Sequence, residues 1–354
     1  MEKVLAEELQ ELEFQDLTPI VGGVEFSGDW YQVWRANVYS RTATRILVRL
    51  GEFPAVHLSQ LDKKARKFPW QEYLKAQHPV RVEVVSRKSK IYHARAAAER
   101  IENAIVYSVG NRISQDADIC IKVRIVKNLV KISIDSTGEG LHKRGYKSFT
   151  GKAPIRETLA AAFLRMCNFD PSQPLIDPMC GSGTFVIEAA EIAVGQAPGK
   201  KREFSFQKFK SFDSKAFERL FLDQKIIAKL ELHLLGYDRD NGAIKNSRQN
   251  AESANVSDIT NFNHQPISDL VPLSNQCGLI IFNPPYGSRI GDKKKLYALY
   301  AKIGTVLKSK FPGWRVGLIT SDRSLAKTTQ IKFSFVSEPV SHGGLKVRLY
   351  HATL

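Results

Sequence analysis

The stretch from Leu175 to Ala193, LIDPMCGSGTFVIEAAEIA, constrains the fold more than any other part of the sequence. A short apolar run ends in an aspartate, a turn with two glycines follows, and a helix-like segment begins near Thr184. In an open α/β sheet, ligands bind beyond the carboxyl ends of the strands, where glycines let a ligand approach the backbone at the next helix N-terminus. The stretch therefore predicts an α/β sheet with a ligand site at this turn.

The flanking sequence continues this alternation of predicted strands and helices. A helix is expected at Ile155–Met166, and further strands at Leu230–Asp238, Gly278–Phe282 and Arg315–Thr320, with a terminal strand pair across His342–Gly344. The pattern predicts a doubly wound sheet that ends in an antiparallel hairpin. The sequence before about residue 150 mixes helix-like and strand-like runs and predicts smaller α+β units, one of them with two strands joined near Lys127–Asn128.

The residues of the glycine turn narrow the choice of ligand. The phosphate-loop pattern GxxxxGK[ST] is missing, and GxGxxG fails because Val186 or Ile187 stands instead of a third glycine. Asp177 at the strand end suits an amino group better than a pyrophosphate, and Asp238 at the end of the next strand suits both hydroxyls of a ribose. Either acid alone could merely cap a helix. Together they favour a nucleoside with a cationic amino-acid tail.

A second motif, IIFNPPYGSRI, follows a later strand. The prolines Pro284 and Pro285 fix the backbone, so the amide oxygen of Asn283 and the Pro284 carbonyl can accept hydrogen bonds from one planar NH₂ group while Tyr286 stacks on its ring. An exocyclic amine is a poor nucleophile because its lone pair is delocalised. Fixing both hydrogens while the nitrogen pyramidalises directs that lone pair at an electrophilic methyl group.

Charge indicates the class of partner. The chain has 52 Lys+Arg against 36 Asp+Glu, and residues 30–100 hold fifteen basic against five acidic residues. A polyanion is the natural partner, although a solvated basic surface that binds nothing is the alternative. No run is long and apolar enough for a membrane span or signal segment, and the four cysteines lack metal-ligand spacing. We expect a cytoplasmic protein with no membrane association and no metal site.

With further motifs the sequence resembles a known family. These are GVEFSGDW, RANVYSRTATRIL, DSTGEGLHKRGYK, APIRETLAAAFL and APGKKREFSFQKF, which are spread over nearly the whole chain. The resemblance is to the class I S-adenosylmethionine-dependent methyltransferases, within them to the THUMP-domain RNA methyltransferases, and most of all to the bacterial 23S rRNA guanine-N2 methyltransferases. It implies S-adenosyl-L-methionine as cofactor and structured RNA as partner, 23S rRNA or a large-subunit precursor, with no obligate protein partner.

The resemblance also implies a domain organisation and a set of site residues. It places an N-terminal ferredoxin-like unit at 1–55, a THUMP RNA-binding domain at 56–150 and a class I (Rossmann-like) methyltransferase domain at 151–354. Asp238 would hold the cofactor ribose. The methionine side of the cofactor would be lined by Asp177, Gly181, Ser182, Gly183 and Thr184, and the target amine would be held by Asn283, Pro284, Pro285 and Tyr286. The acid that often binds the adenine amine is replaced by Pro266, with Gln265 or Asp269 as possible substitutes.

Several alternatives share parts of this pattern. An adenine-N6 or transfer-RNA guanine-N2 methyltransferase would carry every motif above, and a protein glutamine methyltransferase would carry NPPY without needing the basic N-terminal half. A non-catalytic RNA-binding ribosome-assembly protein would not need the intact motifs. The loop Leu141–Lys147, with His142, Lys143, Arg144 and Tyr146, is expected to be either a solvated linker or a contact to the RNA or a flipped nucleotide. Because the sequence has one methyltransferase domain, we expect one methylation.

Overall fold

The structure is a computed structural model, and it describes residues 1–149, 154–222, 233–272, 276–287 and 293–354. Its N-terminal part combines helices with two small sheets. The elements are α1 (Glu2–Glu11), β1 (Thr18–Ile20), β2 (Gly23–Glu25), α2 (Trp30–Tyr39), β3 (Leu47–Pro54), α3 (Leu58–Arg66), β4 (Val80–Arg87), α4 (Ala94–Val109), β5 (Ile119–Val126) and β6 (Leu129–Asp135).

The N-terminal strands β3 to β6 form one four-stranded sheet in the order β3-β6-β5-β4. Its central hairpin turns at Lys127 and Asn128, whose φ angles of 48° and 65° are the positive values that a tight two-residue hairpin turn requires. This confirms the expected junction. Alternate residues of β5, among them Ile121 and Ile125, are fully buried and pack with Leu61 of α3 and Ile101 of α4.

The C-terminal part is the expected α/β unit. Its elements are α5 (Glu157–Met166), β7 (Leu175–Asp177), α6 (Thr184–Ala193), α7 (Ser214–Arg219), β8 (Leu234–Asp238), α8 (Asn241–Ala254), β9 (Thr260–His264), β10 (Leu279–Phe282), α9 (Lys293–Lys310), β11 (Arg315–Thr320), α10 (Arg323–Thr328), β12 (Phe335–Val336), β13 (Val340–His342) and β14 (Leu345–Thr353). The strand order is β12-β14-β11-β10-β7-β8-β9, and β13 pairs with β14. Strands β7 to β11 run parallel, whereas β14 is antiparallel to β11.

Helices cover both faces of this sheet because alternate strand residues point to opposite sides. In β7, Leu175 belongs to a core built with α5, α6 and α8, whereas its neighbour Ile176 belongs to a second core built with α9 and α10. Burial on both faces explains why the central strands are continuous apolar runs. It also leaves the strand ends as the places where polar side chains can reach solvent.

The segment between α6 and α7 returns to the N-terminal sheet. Phe206 and Phe209 are fully buried in the same hydrophobic cluster as Trp34 and Leu61, and the rings of Trp34 and Phe206 stack with their centroids 6.1 Å apart. One apolar core therefore joins the N-terminal and C-terminal parts of the chain. No helix among the described residues is both long and apolar enough to cross a membrane.

The structure also differs from the expectations in some elements. Helices α2 and α3 and strand β3 were not predicted, and the expected final hairpin is divided between two short strands, β12 and β13, that both pair with β14. The expected strand Leu230–Asp238 begins at Leu234, and residues 230–232 lie outside the described residues.

Candidate active site

Three neighbouring strands end at one edge of the sheet and bring the two sequence motifs together. Strand β7 lies between β8 and β10, with Asp177 opposite Gly236 and Ile176 opposite Ile280. Asp177 and Asp238 are the last residues of β7 and β8, and Asn283 directly follows β10. Because the three strands are parallel, these residues share one sheet edge, as the sequence pattern predicted.

The two glycines of the turn after β7 serve different purposes. Both have positive φ, 53° at Gly181 and 82° at Gly183. A Cβ on Gly183 would lie 3.0 Å from Cβ of Ser247 and 3.1 Å from the ring of Phe262, so this glycine allows the turn to pack against the sheet. A Cβ on Gly181 would meet nothing within 4 Å. The turn at Gly181 is thus open to a ligand that approaches its backbone.

Asp238 holds this turn in place. Its Oδ2 accepts a hydrogen bond from the backbone N–H of Gly181 at 3.0 Å, and its Oδ1 accepts one from the N–H of Asp240 at 2.9 Å. The residue is half-buried. Because each carboxylate oxygen can accept more than one hydrogen bond, Asp238 can bind hydroxyl donors of a ligand while it keeps these contacts.

Asp177 is the more deeply buried acid, with 2% of its surface exposed. Its Oδ1 accepts a hydrogen bond from the Met179 N–H at 3.1 Å, and no cationic side chain of the described residues pairs with it. Burial, and to a lesser degree the negative charge of Asp238, raises the pKa of Asp177 well above its usual range. A cationic group placed here would stabilise the ionised carboxylate.

Ser182 and Thr184 anchor the turn to the rest of the domain. The amide of Asn250 in α8 donates to the Ser182 carbonyl at 3.0 Å, and Lys147 donates to Oγ1 of Thr184 at 2.8 Å. Lys147 also pairs with Glu157 at 2.8 Å. Both turn residues are buried, so the Ser182 backbone and the Thr184 side chain hold the turn against the interior of the domain.

The NPPY turn continues directly from β10. Pro284 is buried, whereas Asn283 and Tyr286 are half-buried. The Tyr300 hydroxyl donates to the Pro285 carbonyl at 3.3 Å, and the Tyr286 ring packs against the cores on both faces of the sheet. The turn is therefore held by a neighbouring helix as well as by its two prolines.

The three residues expected near the cofactor adenine follow β9. The backbone N–H of Gln265 donates to the Asp238 carbonyl at 2.9 Å, which places Gln265 beside the ribose candidate. Asp269 is exposed and accepts a hydrogen bond from the Ser268 hydroxyl at 2.8 Å. Pro266 precedes the short helical turn that contains Asp269.

A buried ion-pair cluster behind the turn was missed from the sequence. Arg41 of the N-terminal part contacts Glu188 in α6 at 2.8 Å and Glu191 at 3.5 Å, and Arg144 contacts Glu188 at 3.2 Å. Burial by itself would raise the pKa of Glu188, but the charges of Arg144 and Arg41 outweigh it, and the pKa lies below its usual value. Burial, and then the charge of Glu188, raises the pKa of Glu191 to about 7. The cluster connects the N-terminal part to the helix that begins at Thr184.

The loop Leu141–Lys147 is packed into the molecule. Leu141, Arg144 and Tyr146 are each at most 3% exposed, and Arg144 also donates to the Leu141 and Arg41 carbonyls. The solvated-linker interpretation of this loop is wrong. Arg144 can be buried because it forms an ion pair with Glu188, which lies in a distant part of the sequence.

This sheet, with one antiparallel strand beside five parallel ones, acids at the ends of β7 and β8 and an NPPY turn after β10, defines a class I S-adenosylmethionine-dependent methyltransferase. Family models agree with this class. The RMKL-like methyltransferase domain matches residues 144–350, the RlmL ferredoxin-like domain residues 1–47, and the THUMP domain residues 55–135. The chain belongs to the RMKL-like methyltransferase family.

Individual relatives cover nearly the whole chain. "Putative RNA methyltransferase slr0064" of Synechocystis sp. is 33% identical over 99% of this chain and 93% of its own length. "Ribosomal RNA large subunit methyltransferase K/L" of Vibrio campbellii is 32% identical over 94% of this chain, which spans about half (49%) of that relative. The crystal structure of SMU.472 complexed with SAH is 29% identical, with a TM-score of 0.89, and the match covers 99% of this chain and 95% of that one.

Proposed function

We propose that this protein transfers a methyl group from S-adenosylmethionine to the exocyclic N2 amine of a guanine in 23S rRNA. The observation that carries the proposal is the placement of Asn283 directly after β10, the strand next to the one that ends in Asp177. Residues suited to bind a cationic nucleoside and a turn suited to bind a planar amine thus share one sheet edge. Methyl transfer to an amine nitrogen needs both.

The residues around the glycine turn fit the cofactor. Gly181 leaves open space for a ligand against the backbone, Asp177 is a buried acid without a cationic partner among the described residues, and Asp238 offers acceptors for ribose hydroxyls. The bound cofactor supplies an electrophilic methyl group on a sulfonium. SAH, the demethylated product of that chemistry, is the ligand in the SMU.472 structure. Ser182, Gly183 and Thr184 would shape the turn on the methionine side.

The NPPY turn would position the acceptor. The Asn283 amide oxygen and the Pro284 carbonyl would accept the two N–H bonds of the amine, and the Tyr286 ring would stack on the base. The hydrogen bond from Tyr300 to the Pro285 carbonyl holds the turn. Because the acceptors are fixed before the substrate arrives, little reorganisation is needed as the nitrogen pyramidalises.

The N-terminal part would bind the RNA. We propose the ferredoxin-like unit at 1–55 and the THUMP domain at 56–150 as this binding part and 151–354 as the catalytic domain. The excess of basic residues over 30–100 supports the assignment. Contacts of lysine and arginine with phosphates are mostly independent of sequence, so the target would be selected by the shape of the RNA and the register of binding.

Ribosomal RNA is favoured because the Vibrio relative is named for the large ribosomal subunit. Adenine-N6 or transfer-RNA guanine-N2 methylation is the alternative. The test is methyl transfer to unmodified 23S rRNA and to transfer RNA transcribed in vitro, with the product nucleoside identified by mass spectrometry. N2-methylguanosine in 23S rRNA is the expected product. N6-methyladenosine or a methylated transfer RNA would establish the alternative, and cofactor binding without transfer to any RNA would indicate a non-catalytic RNA-binding protein.

A further inference from the structure

A cavity of about 1000 Å³ lies beside the candidate active site, at the upper end of the roughly 300–1,000 Å³ typical of ligand pockets. Its lining consists of Asp118 and residues from four segments: 137–147, 154–157, 201–208 and 342–343. We call this cavity the basic cleft. None of the residues predicted for the cofactor or the target amine lines it, so it is a separate site.

The basic cleft adjoins both motifs. On one side Lys147, a lining residue, donates to Thr184 at the start of α6 at 2.8 Å. On the other side the hairpin that carries His342 continues into Leu345, whose Cδ1 lies 3.7 Å from where a Cβ of Gly287 would be, directly after the NPPY turn. A polymer strand whose base enters the active site can therefore extend into the basic cleft.

The lining of the basic cleft has more positive than negative side chains. Its lining contains seven cationic and four acidic side chains. Four of the cations have carboxylate partners, in the pairs Lys143–Glu139, Lys208–Asp118, Lys147–Glu157 and Arg144–Glu188. Three cations, Arg156, Lys201 and Arg202, and one exposed carboxylate, Glu203, have no such partner among the described residues.

Of these three cations, Arg156 is the one whose side chain has no hydrogen-bond partner among the described residues. Arg202 donates to the carbonyls of Glu139, Gly140 and Lys143, and Lys201 donates to the carbonyl of Ser253. The side chain of the exposed Arg156 makes no hydrogen bond or ion pair with any residue that the structure describes. Arg156 also precedes the ten-residue helix α5, whose first N–H groups carry a partial positive charge.

Two histidine rings line the same cleft as Arg156. Burial, and then the charge of Arg156, lowers the pKa of both His142 and His342, in the case of His142 to about 4. His342 is 8% exposed, and its Nδ1 has no hydrogen-bond partner among the described residues. A buried polar atom left without a partner is costly, and a ligand in the cleft would offer it one.

We propose that the basic cleft binds a phosphodiester of the RNA strand that carries the target base, with Arg156 and the first two N–H groups of α5, those of Glu157 and Thr158, as the anion-binding groups. A phosphate suits this arrangement because guanidinium groups and helix N-termini both bind its oxygens. The Glu157 carboxylate beside them is neutralised by Lys147. The subsite rests on the proposed function, because it holds the RNA next to the base that is methylated.

The test uses the full-length protein and a fluorescein-labelled single-stranded RNA hexamer, whose binding is followed by fluorescence anisotropy over a series of salt concentrations. Arg156→Ala should weaken binding about tenfold, as expected for a lost charge-assisted contact, and lower the slope of log affinity against log salt by about 0.7. Arg156→Glu should weaken binding further. Arg156→Lys should retain most of the affinity. The control is Lys332→Ala, which removes an exposed cation outside the cleft whose side chain makes no hydrogen bond or ion pair with any described residue.

Equal affinity and equal salt slope for Arg156→Ala and Lys332→Ala would overturn the subsite. The assay does not depend on methyl transfer. A loss of hexamer binding in Arg156→Ala together with no methylation of any RNA by the wild type would support the subsite and refute the proposed function. Methylation of 23S rRNA by the wild type, together with unaltered hexamer binding by Arg156→Ala, would support the proposed function and refute the subsite.

Discussion

The backbone N–H of Gly181 donates a hydrogen bond to Oδ2 of Asp238 at 3.0 Å, so the acid that ends β8 also holds the glycine turn that follows β7. Asp238→Ala should therefore remove both a cofactor contact and a support of the turn. A lost charge-assisted hydrogen bond costs about 1.5–3 kcal/mol, so the dissociation constant for S-adenosylmethionine should rise about 10- to 150-fold. Calorimetric titration measures it.

Two matched variants separate these roles. Asp238→Asn keeps one acceptor oxygen for the turn and loses the charge, so its affinity should lie between those of the wild type and Asp238→Ala. Asp240→Asn is the control, because Asp240 caps α8 through the N–H groups of Gly242 and Ala243 and asparagine caps helices about as well. An unchanged cofactor affinity in a folded Asp238→Ala protein would refute the ribose assignment.

Asp177 should make stability depend on pH. Burial raises the pKa of its carboxyl group in the folded state, so the folded protein binds more protons than the unfolded chain and stability should fall as the pH rises above the unfolded value of about 3.9. Asp177→Asn should melt at a higher temperature than the wild type at pH 7, with a smaller gain at pH 5, and should bind the cofactor more weakly. Thermal unfolding at both pH values is the measurement. The exposed variant Asp269→Asn should leave the profile as it is, and an Asp177→Asn profile parallel to the wild type would contradict the assignment.

Much of this architecture follows from local sequence. The apolar runs of β7 and β10 are buried on both faces of the sheet, and Lys127–Asn128 form the expected hairpin turn. Helix α2 was missed because WYQVWRANVY is rich in aromatic and β-branched residues that favour strands. The sequence did contain a signal for the start of this helix, the N-cap residue Asp29, whose Oδ1 accepts a hydrogen bond from the Gln32 N–H at 3.0 Å.

The ion-pair cluster had no comparable local signal. Arg41 and Glu188 are 147 residues apart in the sequence, and nothing in the stretch around either residue marks it as a partner of the other. Strand-end acids can be predicted because each is marked by the strand before it. A buried pair between distant segments is fixed only by how the N-terminal part packs on α6.

Arg41→Ala should destabilise the protein. Glu188 is fully buried and would lose one of its two cationic partners, and breaking a buried pair from one side costs about 3–5 kcal/mol. Urea unfolding measures the loss, and the double variant Arg41→Ala/Glu188→Gln should lose less than the sum of the single changes. The control is Arg95→Ala, which removes an exposed pair with Glu99 and should cost less than about 1 kcal/mol. Equal losses at the two arginines would show that the Arg41 pair is not stabilising.

Exposed lysines in the last turn of α3 and directly after it should contribute to RNA affinity. Lys63 and Lys67 are exposed and lie in the basic region 30–100, and their side chains make no hydrogen bond or ion pair with other described residues. Point variants are preferable to removing the N-terminal part, because Phe206 and Phe209 would lose their buried partners. If both lysines contact phosphates, Lys63→Ala/Lys67→Ala should lower the salt slope of binding to a 23S rRNA fragment by about 1.4–1.8. Lys302→Ala/Lys332→Ala removes the same charge from exposed positions of the catalytic domain, and an equal drop there would refute a specific role for α3.

The chemistry itself depends on Asn283. Its amide oxygen is the proposed acceptor for one N–H of the target amine, a contact that matters most as the nitrogen pyramidalises, so Asn283→Ala should lower single-turnover methyl transfer by about 10²-fold or more. Cofactor affinity should stay unchanged, because the residue follows β10 and the glycine turn follows β7. The exposed variant Asn261→Ala is the control. Normal turnover in Asn283→Ala would contradict the proposed role of Asn283 as acceptor for the amine, whichever base is the target.

Tyr286 provides an independent test of how the base is held. A paired guanine hides its N2 in the duplex, so the enzyme must bind an unpaired base or flip one out, at a cost of a few kcal/mol that stacking helps to recover. Tyr286→Phe keeps the ring and should be largely tolerated, whereas Tyr286→Ala should weaken productive RNA binding. The two variants are compared by single-turnover transfer at rising concentrations of a 23S rRNA fragment. If the phenylalanine variant lost as much activity as the alanine variant, the hydroxyl and not the ring would be the functional group of Tyr286.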